Sequence, residues 1–175
     1  MEKPRIYMDS CCFIDLAKVK IGKKISTDRE HDVWCLQKML EAAGNEEVEV
    51  YTSTISIAEC THTEGIVIDE VKEYFSKLLT SGQYVLLVQP TVFIAEDARD
   101  LRWKHKVSLS GADGIHVASA IERKCNEYFT WEFLSKNPEN KTKIEKLGIS
   151  IRRPAETLYL PSHYRQTDLL ENPKT

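Results

Sequence analysis

The chain has 175 residues and 20.1 kDa, with 24 Lys and Arg against 27 Asp and Glu, a formal net charge of -3 and a pI near 6.0. Such a balance excludes a protein that grips nucleic acid over its whole surface, though not one with a local basic rim. No apolar run approaches the roughly 18 residues that cross a bilayer, and Met1-Glu2-Lys3-Pro4-Arg5 leads into a short strand-like run with no signal-peptide apolar region, so the expectation is a cytoplasmic protein without membrane contact.

In chain order, residues 5–9 read as a buried strand and 10–18 as a helix. Residues 28–43 carry Val33, Leu36, Met39, Leu40 and Ala43 at helical spacing and stop at Gly44. A second strand is expected over 48–53, a short helix over 55–63, and a longer helix over 66–80 with Val67, Val71, Phe75, Leu78 and Leu79 on one stripe. Residues 84–89 read as a third strand, and Pro90 sets the start of a helix over 91–106. Another helix over 113–124, a strand over 126–130 and a last strand over 148–152, closed by Pro154, complete the pattern. Strands alternating with helices at these intervals predict an α/β fold with a mainly parallel sheet covered on both faces. Residues 1–158 form the expected domain, and 159–175, polar and weakly periodic, the expected C-terminal tail.

Five cysteines, Cys11, Cys12, Cys35, Cys60 and Cys125, form no CxxC pair, and an odd number does not close a disulfide set. They read mostly as buried thiols. Cys60-Thr61-His62 offers two zinc-type ligands, but no second pair completes a tetrahedral site.

Four acids stand at the edges of apolar segments. Asp9 follows Arg5-Ile6-Tyr7-Met8, Glu59 closes Thr52-Ser53-Thr54-Ile55-Ser56-Ile57-Ala58, Asp113 opens Gly114-Ile115-His116-Val117-Ala118, and Glu132 follows Tyr128-Phe129-Thr130. A carboxylate beside buried apolar residues is costly to ionise without a compensating cation, and neighbouring carboxylates raise one another's pKa. In parallel sheets, ligands gather at the carboxyl ends of the strands, where Asp9 and Glu132 fall. A constellation of carboxylates without paired histidines favours Mg²⁺ or Mn²⁺ over zinc.

The segments Ile6-Tyr7-Met8-Asp9-Ser10-Cys11-Cys12-Phe13-Ile14-Asp15-Leu16, Ser53-Thr54-Ile55-Ser56-Ile57-Ala58-Glu59 and Ser110-Gly111-Ala112-Asp113-Gly114-Ile115-His116-Val117-Ala118-Ser119-Ala120 resemble, in order, the three main signatures of PIN-domain nucleases. Tyr128-Phe129-Thr130-Trp131-Glu132 occupies the place of the family's strand-end Thr-x-Asp, and residues 149–158 are similar to its closing strand and Pro-initiated turn. The resemblance implies a PIN-like three-layer fold, with a central, mainly parallel sheet of four to five strands flanked by helices. It further implies an endoribonuclease that hydrolyses RNA phosphodiester bonds at a Mg²⁺ or Mn²⁺ site, as in the toxin subunits of VapBC-type toxin-antitoxin modules. On that reading Asp9 and Asp113 are the principal metal ligands, and Glu59 and Glu132 complete the catalytic pocket directly or through water. Glu132 departs from the family's Asp by one methylene, a reach of about 1.5 Å, which bears on a second metal more than on the first.

Around these acids, Ser10 and Thr130 have hydroxyls suited to orienting a ligand or water, Ser10 equally to capping a helix. His116, one turn from Asp113, suits either a substrate contact or a buried hydrogen bond. Asp15 reads as solvated or hydrogen-bonded, and Trp103 and Trp131 as core residues or stacking platforms for a base. The resemblance also implies RNA, an antitoxin protein and a second copy of the chain as partners. The dimer face is expected on the helices over 28–43 and 66–80, and a basic rim on Lys20, Lys23, Lys24 and Arg102. The alternative is a non-catalytic PIN-like module that binds protein or RNA.

Overall fold

Five short strands, β1 (Arg5–Met8), β2 (Glu49–Ser53), β3 (Leu86–Val88), β4 (Glu127–Phe129) and β5 (Ser150–Arg152), form one sheet in the order β3-β2-β1-β4-β5. Every adjacent pair is parallel. The computed structural model describes residues 2–131 and 138–165, so Glu132 lies outside the described residues.

Side chains on a strand alternate between faces, and β1 uses that alternation to join two cores. Ile6 and Met8 pack into one cluster with Leu16, Val33, Leu36, Met39, Val71 and Phe75. Tyr7 points the other way, into a cluster with Leu101, Val117, Ala120, Tyr128, Ile144 and Ile151. The first cluster is covered by α1 (Ser10–Lys20), α2 (Glu30–Gly44) and α4 (Asp69–Phe75). The second is covered by α5 (Val92–Trp103), α6 (Gly111–Glu122) and α7 (Pro138–Glu145). Helices on both faces of one parallel sheet make the three-layer α/β, PIN-like architecture that the strand and helix pattern and the motifs implied. Leu36 and Met39 of α2 are wholly buried, each contributing about 1.5–3 kcal/mol by leaving water.

The strand order positions the site. From β1 the chain adds β2 and β3 on one side, then crosses back to add β4 and β5 on the other. The crevice beyond the carboxyl ends of β1 and β4 is therefore a topological switch point, where the loops diverge and leave room for a ligand. The backbone closes this seam directly, because Asp9 N–H donates to the Phe129 carbonyl at 3.1 Å.

Several elements differ from their sequence expectations. The helix expected over 55–63 is the single turn α3 (Ile55–Glu59), ended by Cys60 at φ -81°, ψ 63°. The helix expected from 66 starts at Asp69, because Thr63 and Ile66 pair in a short antiparallel bridge, and it continues as a wide turn over Ser76–Thr80. The apolar stripe of α2, expected to face a second copy, is spent on the protein's own core, as are Val71, Phe75, Leu78 and Leu79 of the stripe expected over 66–80, while Val67 and Ile68 ahead of α4 stay exposed. Helix α7 has one apolar residue in its sequence, Ile144, and no stripe to read. It is tied down instead by Asn140, whose amide accepts from Ser108 N–H at 3.1 Å and donates to Ser108 C=O at 2.7 Å. Beyond residue 158, Leu160 and Tyr164 enter the first core, and Tyr164 Oη donates to Glu47 at 2.8 Å.

Candidate active site

Asp9 is the first residue past β1. It is 6% exposed, and both carboxylate oxygens have donors: Ser10 N–H to Oδ1 at 2.8 Å and Thr130 Oγ1–H to Oδ2 at 2.8 Å. Asp9 thus caps α1, and through Thr130 it also pins the end of β4. Burial pushes the Asp9 carboxyl up, and Asp113 adds to that. His116, Thr130 and the Ser10 N–H pull the other way without cancelling it.

Asp113 lies in the first turn of α6, where a carboxylate complements the helix macrodipole. The N-cap is Ser110, whose Oγ accepts from Asp113 N–H at 3.2 Å and donates to Asp113 Oδ2 at 2.7 Å. A close approach of α5 sets this helix in place: a side chain at Gly114 would meet Ala98 Cβ at 3.5 Å. The Asp113 charge acts on both Asp9 and His116.

His116, one turn further along α6, is fully buried. Its Nε2 lies 2.9 Å from Glu59 Oε2 and 4.0 Å from Asp9 Oδ1, and its Nδ1 lies 2.8 Å from Tyr7 Oη. Burial pulls the imidazole pKa down, but the Glu59 hydrogen bond and the charges of Asp9 and Asp113 outweigh it, so the net shift is upward. Glu59, the last residue of α3, moves the other way: the His116 hydrogen bond holds its carboxyl down against partial burial, and the Ser10 side chain adds to this. Glu59 and Asp9 thus both approach one imidazole, and the charge of Asp113 reaches it, although α6, α3 and β1 lie far apart in sequence.

Asp15 is not in this group. It is buried on α1 beside two cations, Arg29 at 2.6 Å and Lys18 at 3.2 Å. Cys60 and His62 do not converge either, since Cys60 Sγ meets the Ser10 carbonyl at 3.7 Å and His62 Nδ1 accepts from Gly65 N–H at 3.4 Å. Among the described residues, no three His, Cys, Asp or Glu side chains form a group able to hold a metal ion. A closed tetrahedral zinc site is thus absent from the described residues. The acids do fit a hard cation of the Mg²⁺ kind, which takes one or two carboxylates and completes its shell with water and substrate phosphate. Asp9 is the donor best matched to it, because a cation would relieve a buried carboxylate whose pKa is pushed up.

Tyr7 was not anticipated as part of the site. A signal for it was present: a phenol in a fully buried strand needs a partner for its hydroxyl, and alternation put it on the face opposite Ile6 and Met8. Its partner, His116, is 109 residues away, a pairing that only the fold supplies.

No protein-family model and no curated protein matches the chain. Solved structures do. A crystal structure of FitAcB from Neisseria gonorrhoeae is similar at 15% identity and a TM-score of 0.49, over 87% of this chain and 99% of that one. A structure of FitAB bound to an IR36 DNA fragment is similar at 13% identity and a TM-score of 0.52, over 87% of this chain and 96% of that one. At such identities the likeness to FitAB is one of fold, and it spans nearly the whole domain. The chain thus joins a PIN-like α/β fold to a buried aspartate, Asp9, at the switch point of its sheet.

Proposed function

We propose that this protein is a metal-dependent endoribonuclease of the VapC-like kind, hydrolysing RNA phosphodiester bonds. The observation that carries the reading is Asp9, a buried carboxylate at the seam of β1 and β4, its pKa raised by burial and by the charge of Asp113, which acts on the same imidazole. Asp9 and Asp113 would hold Mg²⁺ or Mn²⁺, with Glu59 and Glu132 completing the catalytic set directly or through water. When bound, such an ion supplies a more acidic water and charge stabilisation for the leaving oxygen. The residues themselves keep that region acidic and anchored: Thr130 and Ser10 fix Asp9, Ser110 fixes Asp113, and His116 fixes Glu59.

The partners that go with this reading are RNA, an antitoxin protein and a second copy of the chain. Support for a protein partner comes from the motifs together with the fold shared with FitAB, which was solved on a DNA fragment. No helix among the described residues is long and apolar enough to cross a membrane, in keeping with a cytoplasmic setting. A non-catalytic PIN-like binding module is the second reading, favoured by Glu59 being engaged by His116 and by the lack of a three-ligand group among the described residues.

The test is direct. Asp9→Asn or Asp113→Asn should abolish Mn²⁺-dependent cleavage of single-stranded RNA and the metal-induced thermal shift while leaving the fold intact, because the amide keeps the size and loses the charge. A wild-type protein that neither cuts any RNA tried nor shifts its melting temperature with metal would favour the non-catalytic module instead.

A further inference from the structure

The Tyr7–His116–Glu59 contacts form a chain whose direction, for a neutral imidazole, follows from counting protons. Tyr7 Oη accepts the Ser53 N–H at 2.8 Å and has one proton to give. Its neighbour at hydrogen-bond distance on the other side is His116 Nδ1, also 2.8 Å away. The Thr52 hydroxyl also borders the phenol, but it is engaged with the Met8 carbonyl at 2.8 Å and the Ser56 hydroxyl at 2.7 Å. If the phenol donates to Nδ1, a neutral His116 carries its proton on Nε2, and Nε2–H points at Glu59 Oε2. Tyr7 is itself held flat against Tyr128, ring centroids 5.1 Å apart and planes within 5°. The strand backbone, a phenol and an imidazole therefore run in series toward one carboxylate.

Resting on the ribonuclease reading above, we propose that Tyr7 and His116 are positioning residues that set the direction of Glu59. Tyr7 selects the imidazole tautomer, His116 commits its Nε2–H to one oxygen of Glu59, and the lone pairs that His116 and the Ser10 hydroxyl do not occupy are left for a water or substrate hydroxyl. Glu59 then acts by orienting a group in the pocket, while metal affinity resides in Asp9 and Asp113. The carboxylate that holds water is thereby separated from those that hold the cation.

Two histidine variants separate the ends of the chain. The amide nitrogen of His116→Gln falls near the place of Nε2 and can still donate to Glu59, whereas His116→Asn reaches only as far as Nδ1. Both variants and Tyr7→Phe would be compared with wild type for kcat and KM on single-stranded RNA and for Mn²⁺ affinity by calorimetry. Long-range ¹H–¹⁵N spectra of metal-free, histidine-labelled protein would report the tautomer. The expected results are an Nε2–H tautomer for neutral His116 in wild type and its loss in Tyr7→Phe. His116→Asn should lower kcat about tenfold or more with KM and Mn²⁺ affinity held, and His116→Gln should recover most of that loss. An Nδ1–H tautomer in wild type, equal rates for the Gln and Asn variants, or Mn²⁺ affinity that falls along with kcat would overturn the proposal. If wild type cuts no RNA, the ribonuclease reading fails by itself. The relay then stands or falls on the spectra: loss of the Nε2–H form in Tyr7→Phe supports it, and an unchanged spectrum overturns it.

Discussion

Glu127, on β4, is 1% exposed and faces Thr157, Leu158 and Arg152 rather than solvent. Arg152 Nε lies 2.9 Å from its Oε1 but off the direction of the N–H, so burial outweighs the hydrogen bonds and the cation, and the carboxyl pKa is raised from its ordinary 4.5. The folded protein thus binds this proton more tightly than the unfolded chain. Its contribution to stability is fully present below the unfolded pKa and is lost as pH rises through the folded value. The stability of wild type relative to Glu127→Gln should be greater at about pH 4 than at about pH 7, as measured by urea melts. The opposite trend would mean that Arg152 dominates. At this scale the sequence made Asp9, Glu59 and Asp113 conspicuous, because acids beside buried strands need a reason. It left His116 open between substrate contact and buried hydrogen bond, and the structure gives it buried bonds to Tyr7 and Glu59. What one dimension could not supply was the pairing across chain distance, as between Tyr7 and His116.

Among the elements, α6 carries both Asp113 and His116, and its start depends on Ser110. Ser110→Ala removes the N-cap and the hydroxyl that restrains Asp113, and should cost about 1 kcal/mol in chemical denaturation, with weaker Mn²⁺ binding than wild type. A loss of stability with unchanged metal binding would separate capping from the site. Elements were legible where apolar spacing was strong: α2 and the five strands lie within a few residues of their expected limits. The short α3 and the late start of α4 were set by local backbone pairing at Thr63 and Ile66, which apolar periodicity does not encode. Helix α7 was missed because its anchor, Asn140, is polar.

Across the whole molecule, charge and exposed apolar surface decide what can dock. Lys18 and Lys104 are held by acids, at 3.2 Å to Asp15 and 2.6 Å to Asp100. Lys20, Lys23, Lys24 and Arg102, by contrast, make no ion pair among the described residues. Neutralising those four should weaken RNA binding and flatten its salt dependence, by roughly 0.7 in log–log slope for each phosphate they would otherwise neutralise. Filter binding at two salt concentrations measures this, and an unchanged slope would return them to plain surface. With α2 and α4 packed inward, one group of exposed apolar residues runs from β3 into α5, with Leu86 and Leu87 on the sheet edge, then Val92 and Phe93, which are 74% and 77% exposed; Val67 and Ile68, ahead of α4, are exposed as well. Phe93→Glu should therefore turn any dimer into monomer in sedimentation. A dimer that survives it must use another face.

The seam between β1 and β4 also sets a schedule. Thr130 lies 121 residues beyond the Asp9 it holds, and Asp113 emerges from the ribosome only shortly before it. At about 5–20 residues per second, the first acid waits several seconds for its companions. A nascent chain therefore carries Asp9 without its β4 anchor until 121 further residues have been made, and the seam closes only after both faces of the sheet have begun to form.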